Sequence, residues 1–141
     1  MEEVGHERAM KQLSSSCLCG AIVLRLPDAF DYMGHCHCGE CHKFSEADNA
    51  TVGGLDADKV ELMKGDAARA LCQKSAGPQL AFCHHCGSSL YPLKRSSGKL
   101  NLRLGCLDEA PSMSPGFHLF VGSRAPWHEM NDTRPQFETH P

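Results

Sequence analysis

The sequence predicts an all-β domain, and three observations carry that prediction. Short apolar and β-branched runs recur along the chain, turn residues separate them, and no long amphipathic segment interrupts them. At 141 residues the chain is most simply one domain, long enough to bury a real core. A hydrophobic fraction of 41% and a charged fraction of 22% are ordinary for a globular protein.

Residues 1–14 carry no clear periodicity and are expected to form a loose or lightly docked N-terminal tail. The domain is expected over 15–130, with a polar C-terminal tail over 131–141. Cys17-Leu18-Cys19-Gly20 leads into Ala21–Leu26, which reads as a strand closed by Pro27-Asp28. A second strand is predicted from Phe30 to His37. Glu40 to Asp48 has helix-compatible composition, enough for about two turns. Further short strands are predicted at Ala50–Val52, Lys59–Met63, Ala68–Cys72, Leu80–Cys83, Ser89–Leu93, Lys99–Leu104 and His118–Val121. Turn signals stand between them at Gly53-Gly54, Lys64-Gly65-Asp66, Ala76-Gly77-Pro78 and Ser96-Ser97-Gly98. Asp108 to Gly116, rich in Pro, Ser and Met, reads as a surface loop. The one tryptophan, Trp127, falls just before the polar end. No internal repeat or domain boundary is visible.

The formal net charge is -3 and no run of Lys or Arg stands out, which argues against nucleic acid or an anionic membrane as the main partner. No apolar run approaches the length of a bilayer span. The first residues are acidic and polar with no apolar segment behind them, unlike a secretory signal. The expected location is the cytoplasm, where thiols stay reduced. Nine cysteines, at 17, 19, 36, 38, 41, 72, 83, 86 and 106, then need an explanation other than bridges. The odd count and the tight C-x-C and C-x-x-C spacings point to metal.

Cys36-His37-Cys38-Gly39-Glu40-Cys41-His42 is the densest stretch. Side chains at i and i+2 of an extended strand share a face, so Cys36 and Cys38 can converge. A turn after Cys38 would bring Cys41 to the same point. Three thiolates are the protein ligands of a zinc site that keeps one position open; His42 or a distant cysteine would instead close it.

Cys83-His84-His85-Cys86-Gly87 is a zinc-knuckle pattern, with a glycine able to adopt the positive φ such turns require. Two sulfurs are half a tetrahedral site, and Cys17 with Cys19, also beside a glycine, are the natural other half. The four would make a closed structural centre coupled to folding. The plainer alternative is that Cys17 and Cys19 are core thiols. Cys72 and Cys106 stand alone in apolar surroundings, as buried cysteines often do, and either could be a fourth ligand to the central motif. His35 and His37 would face away from Cys36 and Cys38 by strand alternation. With His42, they stand as surface histidines or proton carriers. His84 and His85 read as incidental. No phosphate-binding glycine loop, nucleophile elbow or dinucleotide fingerprint is present.

Four motifs together resemble the glutathione-dependent formaldehyde-activating enzyme family, which includes the domain of centromere protein V. They are Cys17-Leu18-Cys19-Gly20-Ala21-Ile22, Cys36-His37-Cys38-Gly39-Glu40-Cys41-His42-Lys43, Phe82-Cys83-His84-His85-Cys86-Gly87-Ser88-Ser89-Leu90, and His118-Leu119-Phe120-Val121-Gly122-Ser123-Arg124-Ala125-Pro126-Trp127. They span roughly residues 15 to 130. The resemblance implies a zinc-stapled β-tent of stacked antiparallel sheets. It implies two Zn2+ ions per chain, a structural one on Cys17, Cys19, Cys83 and Cys86 and a more labile, catalytic one on Cys36, Cys38 and Cys41. The implied activity joins glutathione to formaldehyde, a carbon-sulfur lyase reaction read in reverse, with a small-molecule thiol as partner. Three positions depart from the family pattern. Ser15 and Glu46 stand where small residues, commonly Gly, occur, and Gln79-Leu80-Ala81 lacks an arginine. None is a metal ligand, but Glu46 is expected to lie close to the second site, where its carboxylate would disfavour an anionic substrate such as glutathione.

An open three-thiolate zinc would hold an incoming thiol as thiolate beside a carbonyl, and attack would give a hemithioacetal. Three thiolates on Zn2+ leave a net charge of -1, so bringing the reactants together would matter more than electrophilic activation. The rival reading is a non-catalytic zinc-stapled module that binds a protein or a small thiol. No individual catalytic side chain is readable from the sequence.

Overall fold

Alternation builds the first sheet. In β1 (Gln12–Ser16) Leu13 and Ser15 are buried, and in β2 (Val23–Pro27) Leu24 and Leu26 are, while Gln12 and Arg25 face solvent. β1 and β2 pair antiparallel, and β5 (Glu61–Lys64) joins the far edge of β2 to give the order β1-β2-β5. This computed structural model describes residues 11–73, 77–94 and 97–140. Residues 1–10, Pro141 and parts of the predicted turns at 76–78 and 96–98 lie outside them.

The second sheet holds β3 (Tyr32–Cys36), β4 (Ala50–Asp56), β6 (Arg69–Cys72), β7 (Gln79–Cys83), β8 (Ser89–Lys94), β9 (Lys99–Arg103) and β10 (His118–Leu119). Its order is β10-β3-β4-β9-β8-β7-β6. Every pairing is antiparallel except that of β10 with β3, which is parallel. Leu13, Leu24 and Leu26 from the first sheet pack against Met33, Leu90 and Leu102 from the second in one core. Burying such side chains is worth roughly 1.5–3 kcal/mol each. The predicted all-β class holds, and among the described residues no helix is long and apolar enough to cross a membrane.

Alternation also fixes which residues leave the core. In β9 Leu100 and Leu102 enter it, so Asn101 and Arg103 project from the opposite face. In β3 Met33 enters the core, so Tyr32, Gly34 and Cys36 share that opposite face. A short helix, α1 (Gly39–Ser45), follows β3 directly.

Four expectations change. The strand β1 begins inside the stretch expected to be a tail. Its serines give little strand signal, but they are tied down by Asp108 and Glu109, with Ser14 N–H donating to Glu109 Oε1 at 2.7 Å and Ser16 Oγ to Asp108 Oδ1 at 2.8 Å. The start of the predicted 108–116 loop therefore runs along the edge of β1. Gly53-Gly54, read as a turn, lies inside β4. The rings of Phe30 and Tyr32 occupy the space where Cβ atoms at Gly53 and Gly54 would stand. Finally, residues of the expected C-terminal tail run beside β10. His118 N–H donates to Pro135 O at 2.9 Å, Phe137 N–H to His118 O at 2.9 Å and Phe120 N–H to Thr139 O at 3.1 Å.

Candidate functional site

Two groups of cysteines converge, each with its sulfurs within 4.8 Å of one another. Cys17 and Cys19 follow β1, while Cys83 closes β7 and Cys86 lies in the turn to β8. Gly87 has φ of +82°, the positive value expected of the knuckle, and Gly20 has φ of +78° in the same region. The Cys17–Cys19 and Cys19–Cys83 sulfurs are each 3.7 Å apart. Sulfurs at about 2.3 Å from a tetrahedral zinc are roughly 3.8 Å apart, so this donor set fits the ion.

The two half-sites are also joined by Ser88. Its Oγ accepts from Leu18 N–H at 2.8 Å and lies 3.3 Å from the Cys86 sulfur. Hydrogen bonds from the Ser88 side chain and backbone lead in lowering the Cys86 thiol to about 5, which favours the thiolate a metal needs. Sequence reasoning passed over Ser88.

The second group is Cys36, Cys38 and Cys41. Cys36 ends β3. Cys38 is the N-cap of α1, with extended backbone and its sulfur accepting from Cys41 N–H at 3.3 Å. The first helical turn then carries Cys41 back to the other two sulfurs. Hydrogen bonds from the Cys36 and Cys41 thiols, followed by backbone N–H groups of Cys41 and Glu40, pull the Cys38 thiol far down. Cys36 and Cys41 are pushed up as the donors. Among the described residues no fourth His, Cys, Asp or Glu joins this cluster. Cys106 donates its thiol to Ser89 O at 3.3 Å, and Cys72 is exposed on β6.

Beside this cluster stands Arg103, a residue that belongs to none of the sequence motifs. It is only 7% exposed. Its Nε donates to Ser45 Oγ at 2.9 Å, its Nη2 lies 3.6 Å from the Cys41 sulfur, and its guanidinium sits 5.2 Å from the centre of the Phe44 ring. The three sulfurs and Arg103 open into a cavity of about 540 Å3. Phe44, Val52, Leu80, Pro92, Phe117, Leu119 and Phe120 supply its apolar wall, and Tyr32, Asn101, Glu40, Lys94 and His140 its polar groups. The Tyr32 hydroxyl donates to Asn101 Oδ1. At Gly34 a Cβ would overlap the Phe117 ring, so the missing side chain is what seats that ring.

Glu46 does not line this cavity. It lines a separate hollow of about 420 Å3 that shares Phe44 and Arg103 with it. Glu46 caps the C-terminus of α1 with φ 51° and ψ 52°, a left-handed conformation that glycine adopts without strain. That accounts for a small residue being the commoner choice there. Glu46→Gly is expected to raise stability by about 1 kcal/mol. Thermal denaturation would show this as a midpoint a few degrees higher.

None of His35, His37 and His42 is among the residues lining the cavity. His35 and His37 face away, as alternation predicts, yet His37 is fully buried rather than on the surface. Its Nε2 lies 2.9 Å from His118 Nδ1, and His118 Nε2 lies 3.0 Å from Asp132 Oδ2. Asp132 is held down to about 2, led by the Arg134 N–H and then by His118, so its carboxylate accepts from His118 Nε2–H. His118 Nδ1 then accepts from His37 Nε2–H, leaving His37 Nδ1 buried without a partner among the described residues.

Burial first, and then His118, His128 and His35, lower His37 to about 4. His37 therefore folds neutral. Its contribution to stability is complete above its unfolded value near 6.5 and is lost as pH falls towards 4. Long-range proton–nitrogen NMR is expected to show a neutral Nε2–H ring at pH 5.5. A charged ring at that pH would contradict the arrangement.

The fold and the two sulfur clusters define a small β protein assembled around cysteine groups that could hold metal ions. Residues 12–123 match the family described as glutathione-dependent formaldehyde-activating enzyme, and the chain belongs to that family. A crystal structure of a Rhodobacter sphaeroides protein is similar in fold, with a TM-score of 0.58 and 17% identity over 70% of this chain and 91% of that one. No curated protein matches the chain.

Proposed function

We propose that the protein adds a low-molecular-weight thiol, glutathione by its family, to formaldehyde or another small aldehyde. This is a carbon-sulfur lyase reaction run towards the adduct. The observation that carries the reading is the group of three sulfurs, Cys36, Cys38 and Cys41, opening into a cavity, with no fourth ligand in the cluster among the described residues. Cys17, Cys19, Cys83 and Cys86, by contrast, form a complete four-sulfur set. We assign Zn2+ to both, a structural ion to the four and a more exchangeable one to the three. All nine cysteines are unbridged, which accords with a reducing compartment such as the cytoplasm.

A zinc ion on the three sulfurs would supply the positive charge that keeps a substrate sulfur deprotonated at neutral pH. The protein's own groups do the rest. Arg103 offsets the negative charge of the thiolates at Cys41. The apolar wall excludes water around the reacting atoms. The Asn101 amide N–H2 is free to orient a carbonyl oxygen because its Oδ1 is taken by Tyr32. Glu40 is the carboxylate on the cavity wall able to carry the proton from sulfur to that oxygen.

Exchange NMR spectroscopy of glutathione with formaldehyde tests the reading, comparing the metal-loaded and metal-free protein. The expected result is faster adduct formation with the loaded protein, about two zinc ions per chain, and one of them perturbed by millimolar thiol. No acceleration above the uncatalysed rate would overturn the enzymatic reading and leave a binding module.

A further inference from the structure

The cavity beside Cys36, Cys38 and Cys41 is built for something other than a one-carbon carbonyl. Formaldehyde has no apolar body, and the thiol peptide brings two carboxylates and one ammonium group. Against these the cavity offers few free charges. Arg103 is buried and already engaged by Ser45, Cys41 and the Phe44 ring, which leaves the exposed Lys94 and His140 as the groups for a carboxylate. Most of the wall is instead apolar, and it is held in place. Phe117 lies over Gly34, 6.4 Å from Tyr32 on one side and 6.4 Å from Phe137 on the other. Val52 sits opposite Gly34 in the β3–β4 register. Leu80 and Pro92, register partners on β7 and β8, continue the same wall.

Resting on the thiol-addition reading above, we propose that the carbonyl substrate is an aldehyde with an alkyl or aryl body. That body lies against Phe44, Val52, Leu80 and Phe117, while the thiol's peptide portion reaches the mouth near Lys94. In the reaction R–CHO and R′S–H become R–CH(OH)–SR′. The carbon–sulfur bond forms, the carbonyl π bond breaks, and the thiol proton ends on the former carbonyl oxygen, with no net oxidation. A volume of about 540 Å3 is within the range of pockets that enclose small organic ligands.

Stable thioethers reproduce the adduct's shape, so calorimetric titration of the zinc-loaded protein with S-methyl-, S-butyl-, S-hexyl- and S-benzylglutathione, alongside glutathione itself, tests the inference. Affinity is expected to rise by roughly threefold to fourfold per buried methylene, giving roughly 240- to 1,000-fold from S-methyl to S-hexyl with all the added methylenes buried. Leu80→Lys, with metal content and circular dichroism confirming its fold, is expected to remove most of that chain-length dependence. Glutathione binding with no gain from S-methyl to S-hexyl would overturn the apolar-aldehyde inference and leave the thiol-addition reading standing. If neither glutathione nor any thioether bound, both would fall. Hexanol binding as tightly as S-hexylglutathione would also overturn the inference, since the thiol portion would then contribute nothing.

Discussion

Replacing Cys83 with serine is expected to unfold the protein at room temperature, whereas replacing Cys38 with serine is expected to leave it folded and inactive. The contrast follows from what each sulfur holds. Cys83 is fully buried in the core and belongs to the cluster that ties the end of β1 to the β7–β8 hairpin. Metal binding to a closed cysteine centre contributes about 10–16 kcal/mol to folding in small zinc domains. A domain's whole net stability is only about 5–15 kcal/mol. Losing one of four ligands, and placing a hydroxyl in an apolar setting at a further cost of about 1–3 kcal/mol, removes more than the margin.

Cys38 has neither role. It is half-exposed and caps α1, and serine is among the best residues at an N-cap, so the helix keeps its start. Mass spectrometry of the native protein should find one zinc in Cys38→Ser against two in the parent, with an unfolding midpoint within a few degrees. Thiol-addition activity should be gone. A Cys83→Ser protein that melts at the parent temperature would show that the four-sulfur cluster is not a folding centre.

How much of this was legible in the sequence depends on how far apart the partners lie. Cys36, Cys38 and Cys41 fall within one strand end and one helical turn, so their spacing alone predicts convergence. Cys17 and Cys19 meet Cys83 and Cys86 from distant strands, but each half is a recognisable pair, and two halves invite one centre. Arg103 and Phe117 carry no local pattern of this kind. Arg103 reaches the site because strand alternation in β9 sends Leu100 and Leu102 inward and leaves Asn101 and Arg103 on the other face. Phe117 reaches it because Gly34 leaves room for its ring. The histidines were unreadable for the same reason. His37 is a buried member of a chain through His118 to Asp132, a residue 95 positions further along and beyond the stretch that matches the family. The Gly53-Gly54 pair misleads in the opposite direction, because glycine serves there to admit two aromatic rings rather than to turn the chain.

Arg103→Met is expected to weaken zinc at the three-sulfur site by about 10- to 100-fold at neutral pH while leaving the four-sulfur site untouched. The sign follows from charge. With Cys38 already held as a thiolate, Cys36 and Cys41 are the thiols that lose protons as the cluster takes up Zn2+, so a new thiolate forms at Cys41 beside the guanidinium. A guanidinium 3.6 Å from the Cys41 sulfur favours that final state. At such a distance a unit charge pair interacts by about 4 kcal/mol with an effective dielectric constant of 20. Roughly 1.5–3 kcal/mol of it survives as net stabilisation of a hydrogen-bonded charged group, which gives the expected fold-change. Methionine replaces the buried arginine's packing without its charge or its bond to Ser45. Arg103→Lys keeps the charge but lacks the planar fork that reaches Ser45 and Cys41 together, so it should recover only part of the affinity. Competition with a chromogenic chelator reads both sites separately, the labile ion leaving first. Equal zinc affinity in the parent, Arg103→Met and Arg103→Lys would show that the guanidinium packs against Phe44 and Ser45 without acting on the metal site.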